Sequence, residues 1–102
     1  MEDVKIEPPK ILNNRTLIYW AEKEGYILGN MKHKALKFLE YNCIREVENG
    51  WDILPIENYN VTTHKIRNGK CTCQYNTKYD KECSHLIAVR LWDFKEKWNE
   101  RT

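Results

Sequence analysis

The sequence has no long apolar run, no large surplus of either charge, and no apolar stretch behind its first methionine. Its uncharged segments fall far short of the roughly 20 apolar residues a membrane-crossing helix needs, which excludes a transmembrane chain. The start, Met1-Glu2-Asp3-Val4-Lys5, is charged and lacks the apolar centre of a secretory signal, so the expected location is cytoplasmic. Lys and Arg number 17 against 15 Asp and Glu, and a formal net charge of +2 makes no case for nucleic acid by its sum alone. Catalytic signatures are missing too. There is no P-loop, no nucleophile elbow and no H-x-E…P-C-x-x-C deaminase pattern, so neither an enzyme nor a small-molecule substrate is expected.

What is present is a globular composition, 41% hydrophobic and 31% charged, in a chain whose 102 residues leave room for one core. Internal repeats and low-complexity segments are absent. The four cysteines belong to a chain with no visible export signal, where disulfides would be reduced. Their spacing is therefore read as a metal site before a disulfide framework.

Residues 1–10 hold two adjacent prolines and no periodic pattern, and read as a flexible arm. Residues 11–30 form a helical extension: Asn14 is the expected cap, Leu17, Ile18 and Ala21 lie one turn apart, and Gly25 stops the helix. A second helix is expected from Met31 to about Tyr41, capped by Asn30, with Met31, Ala35, Phe38 and Leu39 as its apolar stripe. Beyond it the pattern changes to short strands. Those over Cys43–Glu48 and Trp51–Ile56 flank Asn49-Gly50, a strong hairpin signal. A third strand is expected over Tyr59–Arg67. Asn68-Gly69 then turns the chain into a short fourth strand carrying Cys71 and Cys73. A polar loop leads to a last helix, Ser84 to Glu100, with Ile87, Ala88, Leu91, Phe94 and Trp98 at helical spacing. The expected fold is α+β: two N-terminal helices, a small antiparallel meander and a closing helix. Residues 11–102 form one globular unit, with residues 31–102 as the metal-binding domain.

The residues that carry chemistry are Cys71, Cys73, Cys83 and His85, arranged as Cys-x-Cys, nine intervening residues, then Cys-x-His. Three thiolates and one imidazole suit a closed, tetrahedral, structural Zn²⁺ site. On a strand Cys71 and Cys73 share a face, and Cys83 and His85 open a helix whose N-terminal dipole favours thiolate. The bland alternative, buried cysteines and a surface histidine, fits poorly beside so polar a loop. With one zinc bound by three thiolates the formal net charge falls by one, from +2 to +1.

At these residues the chain resembles a known family. The run CTC-QYNTKYDKE-CSH is similar to the C-x-C…C-x-H signature of the SWIM zinc finger. Segments resembling MKHKALKFLE, GWDILPI, YNVTTHKI and HLIAVRLW follow in the family's order, so the likeness covers roughly Lys32–Trp92. SWIM modules accompany chromatin-remodelling-type ATPases, MULE-type transposases, some kinases and recombination accessory proteins; here the module is expected to stand alone. The resemblance implies zinc held by Cys71, Cys73, Cys83 and His85, in a module that binds DNA or other proteins.

Charge is segregated along the chain. Glu46, Glu48, Asp52 and Glu57 mark an acidic hairpin, whereas Lys65, Arg67, Lys70, Lys78 and Lys81 surround the metal motif. Lys34 and Lys37 lie three apart on the second helix. These seven basic residues are the candidate nucleic-acid contacts, weighed against a merely solvated face. The rival to DNA binding is a protein–protein adaptor in a recombination, transposition or transcription complex. Cys43 reads as packing, His33 as surface, His64 as a polar strand face, and the four tryptophans as mainly core.

Overall fold

The computed structural model describes residues 8–56, 63–73, 78 and 82–100, and the architecture below is that of the described residues. Helix α1 (Asn14–Lys23) turns Leu17, Trp20 and Ala21 inward. Its cap is Asn13, one residue before the expected Asn14. Asn13 is still extended, so its Oδ1 can accept from the Arg15 and Thr16 amides at 3.0 and 3.3 Å. Asn14 is already helical and its side chain instead accepts from Lys95 Nζ at 2.9 Å. Gly25, with φ +99°, ends the helix as expected: its N–H bonds Glu22 O and the Tyr26 N–H bonds Ala21 O.

Helix α2 (Lys32–Glu40) buries Ala35, Phe38 and Leu39. Asn30 does not cap it; Met31 occupies the cap position and makes no side-chain cap bond. Lys32 is tied back to Glu22 of α1 at 3.0 Å. The end of α2 repeats the device of α1, with Asn42 at φ +57° in place of glycine and the Cys43 N–H bonding Phe38 O at 2.9 Å. That reversal aims the chain directly into the sheet.

The sheet is a four-stranded antiparallel meander in the order β1-β2-β3-β4. Its strands are β1 (Ile44–Val47), β2 (Gly50–Ile53), β3 (His64–Arg67) and β4 (Lys70–Cys71), each shorter than the sequence pattern suggests. Residues 59–62 of the expected third strand lie outside the described residues. Asn68 and Gly69, at φ +54° and +76°, make the mirror-image turn that a two-residue hairpin requires. The first hairpin differs. Val47 pairs with Gly50, so Glu48 and Asn49 form the turn, and Gly50 is already a ladder residue. Gly50 also pairs with Arg67, at φ +152°, and a Cβ there would lie 1.9 Å from the Ile66 carbonyl oxygen. Close backbone approach between β2 and β3, rather than the turn, is what demands glycine.

Register then divides the sheet into two faces. Ile44, Ile53 and His64 are cross-strand neighbours, as are Glu46, Trp51, Ile66 and Cys71; all but the exposed Glu46 are turned toward the core. Helix α3 (Ser84–Glu100) covers that face with its stripe of Ile87, Ala88, Leu91, Phe94 and Trp98. Trp92 of α3 meets Trp51 edge-on at 5.0 Å, while Trp98 meets Trp20 of α1 at 5.8 Å. The segment before α1 is held as well. Leu12 is buried and bonded through its N–H to Asn99 Oδ1, and Pro9 O accepts from the Trp98 indole. Within the flexible arm expected over residues 1–10, Pro9 is held by this bond, and residues 1–7 lie outside the described residues. No helix among the described residues is long and apolar enough to cross a membrane.

Gly50→Ala is expected to destabilise the fold by about 2 kcal/mol or more, because a backbone atom must move. Gly25→Ala meets no neighbour within 4 Å and should cost only about 1 kcal/mol of left-handed strain. Urea denaturation of both variants checks this, and equal losses would contradict the close-approach explanation.

Candidate metal centre

The two halves of the site come from the two elements that enclose the inner face. Cys71 ends β4, on the cross-strand row of Ile66 and Trp51. Cys73 lies two residues on, beyond the ladder rather than within the strand as expected. The segment is nevertheless held: the Thr72 N–H donates to Lys65 O, and Thr72 Oγ1 accepts from the Lys65 N–H, both at 3.0 Å. A side chain here takes the place of a ladder carbonyl, and Cys73 folds back so that its N–H meets Cys71 Sγ at 3.4 Å.

Cys83 stands immediately before α3, and its carbonyl accepts the Ile87 N–H that opens the helix. Its sulfur accepts from the Leu86 N–H, three residues on, as a capping side chain would. His85 follows two residues later in the first turn. The four side chains converge, with their ligand atoms all within 4.8 Å of one another and all four residues buried. A tetrahedral shell with metal–donor distances of about 2.0–2.3 Å spaces its donors roughly 3.5–3.8 Å apart, so small side-chain adjustments close the cluster on an ion.

Two further observations fit a metal. The Nδ1 atom of His85 is buried and has no hydrogen-bond partner among the described residues, an expensive state for an imidazole nitrogen unless an ion satisfies it. The cluster also already favours thiolate at one position. The Cys71 thiol donates to Cys83 and holds that group well below its ordinary range, at about 3, against the opposing effect of burial. His85, the Leu86 N–H and Cys73 add to the effect. The same bond, together with burial, drives Cys71 upward. The arrangement can hold a metal ion.

The His85 ring is positioned from both sides. Phe38 of α2 lies 5.0 Å from it and His64 of β3 lies 4.1 Å away, centroid to centroid. His64 is therefore on the inner face, not on the polar strand face expected of it. Burial, and secondarily His85, push its pKa down against the opposing pull of Cys83. Period-two alternation counted inward from Ile66 would have placed it correctly. Cys43 is buried away from the cluster, with its thiol toward Tyr41 O and Pro55 O and its pKa raised by burial.

The basic candidates fall into groups. Lys65, Arg67 and Lys70 occupy the sheet's outer face, joined there by Arg45, which the sequence reading overlooked because it counted charge from Glu46 onward. Lys34 and Lys37 are exposed on α2, which packs against α3 rather than against the outer face. Lys78 is exposed, and Lys81 lies outside the described residues. The expected division into an acidic hairpin and a basic edge does not hold. Asp52 sits between Arg45 and Lys65 in one cross-strand row and bonds Arg67 at 3.0 Å. Register, not chain segment, thus decides which charges share a face, and it sets Asp52 among Arg45, Lys65 and Arg67.

Comparison with known proteins returns no match among family models, curated proteins or solved structures.

Chelation by EDTA is expected to lower the melting temperature by about 10 °C or more, because metal-binding energy in such sites is folding energy. Cys83→Ser should mimic chelation, while Cys43→Ser should retain one bound metal per chain. Calorimetry with elemental analysis checks both, and melting indifferent to EDTA would contradict the site.

Proposed function

We infer that the chain is a SWIM-type zinc module that binds DNA through the outer face of its sheet, and that it is not an enzyme. The observation that carries the reading is the placement of the three-cysteine, one-histidine cluster directly behind a sheet face bearing Arg45, Lys65, Arg67 and Lys70. A Cys₃His donor set selects zinc over harder cations, which prefer oxygen. Zinc so held has all four positions filled by protein, and it ties β4 to the start of α3 instead of activating water.

The chain's own residues supply the contact with phosphate. Lys65 and Lys70 are exposed and reach outward on flexible stems, while the exposed Arg45 donates through Nη1 to the Asn42 and Ile44 carbonyls. Arg67 is held by the Trp51 and Ile66 carbonyls and by Asp52, so its guanidinium is presented in a fixed position. No outward-facing residue of β1–β4 is aromatic among those described, which favours a duplex backbone over stacked single-stranded bases. The acidic neighbour Asp52 is already neutralised by Arg67. Without a helix aimed outward from this face, binding is expected to be independent of sequence.

A salt titration of a fluorescent duplex, read by anisotropy, tests this. Four phosphate contacts predict a log–log slope of about −3 to −4, and each of Arg45→Ala, Lys65→Ala and Lys70→Ala should reduce it by about one. Absence of binding at low salt overturns the DNA reading and leaves the adaptor reading.

A further inference from the structure

The donors Cys71, Cys73, Cys83 and His85 are 2%, 6%, 2% and 8% exposed, so an ion reaches them only past another side chain. Among the described residues the His85 ring has an aromatic neighbour on each side, and the two differ. Phe38 is buried in the core and offers carbon alone. His64 is half-buried, stands between the exposed Thr63 and Lys65, and offers two ring nitrogens. The side of His85 that leads toward solvent is thus the side on which a second imidazole stands.

Strand register puts it there. His64 lies two residues before Ile66, the partner of Cys71, and so shares the inner face with that donor. The two bonds between Lys65 and Thr72 hold the adjacent strand alongside as it leads into Cys73. Cys83 is near enough for its charge to act on the His64 ring. The neighbours of His64 across the sheet, Ile53 and Ile44, are buried and apolar, so packing alone would be served by any apolar side chain. Neither His64 nitrogen has a hydrogen-bond partner among the described residues. What imidazole adds at this position is a lone pair.

Donors that share one zinc ion lie about 3.5 Å apart. The His64 and His85 centroids are 4.1 Å apart with their planes tilted by 40°. Rotation of the His64 side chain therefore lets one nitrogen of each ring hold the same ion. At rest His64 is outside the shell, because three sulfurs and His85 already make four donors.

We propose that His64 is the exchange ligand of this centre, taking zinc from solvent and passing it to the cluster through a state in which His64 and His85 hold the ion together. On entry a His64 nitrogen replaces one water of the hydrated ion. The sulfurs and His85 follow, the remaining thiol protons pass to buffer, and His64 withdraws last. Release runs through the same states in reverse. The inference rests on the zinc reading of the cluster. A relay lowers the barrier in both directions, so its loss slows entry and exit alike and leaves affinity unchanged. Loss of a residue that only orients His85 would instead weaken zinc binding by about 10–100-fold, with faster release.

The test uses the full zinc-loaded chain, incubated at neutral pH with an excess of an enriched zinc isotope. Mass spectrometry of the desalted protein follows exchange, and competition with a chromophoric chelator gives affinity. His64→Phe keeps a ring against His85 but has no lone pair. It is expected to exchange zinc about tenfold more slowly than the parent chain, with affinity within about twofold. His64→Ala leaves a space that free imidazole can enter, so imidazole should speed exchange in His64→Ala and not in His64→Phe. Exchange in His64→Phe as fast as in the parent or faster overturns the proposal. So does an imidazole response that is absent from His64→Ala or equal in His64→Phe. A parent chain that takes up no zinc overturns the zinc reading and this inference with it, whereas normal exchange in zinc-loaded His64→Phe overturns this inference alone.

Discussion

Everything at one end of this molecule depends on β4 and the first turn of α3 converging on a common point. Cys71 arrives from a strand with only two paired residues and Cys73 from just beyond it, while Cys83 precedes the helix that His85 opens. Packing alone does not explain that convergence. Four buried polarisable donors, one favouring thiolate through its bond to Cys71 and one imidazole nitrogen unpaired, would be satisfied together by a cation between them. A metal held there would make the edge of the sheet and the start of the helix a single unit. In a chain of 102 residues, whose core is necessarily small, such a fastening is worth more than it would be in a larger domain.

Once β4 is fixed against α3, the register of the sheet follows outward strand by strand. One row places Ile66 and Trp51 beside Cys71 on the inner face, and the rows on either side of it place Lys65 and Arg67 outside. The metal site and the basic face are consequently two sides of the same strands. Losing the ion would loosen both together.

Much of this was legible in the residues themselves, and the failures have physical causes. The stripe of Ile87, Ala88, Leu91, Phe94 and Trp98 is buried along the helix predicted for it, since a 3.6-residue period over many turns is hard to mimic. Asn68-Gly69 forms its turn because both residues tolerate positive φ. Asn49-Gly50 carries the same dipeptide signal, yet Gly50 answers to a tertiary demand, the approach of the Ile66 carbonyl, that no local pattern encodes. Both helix caps were misplaced by one residue, Asn13 for Asn14 and Met31 for Asn30. Asn13 and Asn14 offer equal chemistry, so the choice between them turns on where the backbone leaves the extended region, whereas Met31 takes the second cap position with no side-chain bond at all. The four donors were recognisable by type and spacing, but His64 was not seen as their neighbour, because its place depends on strand register. Charge failed for the same reason: Asp52 belongs to the acidic run in sequence and to the basic face in space.

The central claim is that Cys71, Cys73, Cys83 and His85 close around one zinc ion. X-ray absorption at the zinc edge of the purified chain tests it most directly. The account predicts one zinc per chain with three sulfurs at about 2.3 Å and one nitrogen at about 2.0 Å. A shell of oxygen donors, a shell lacking nitrogen, or a folded chain that takes up no zinc would contradict it.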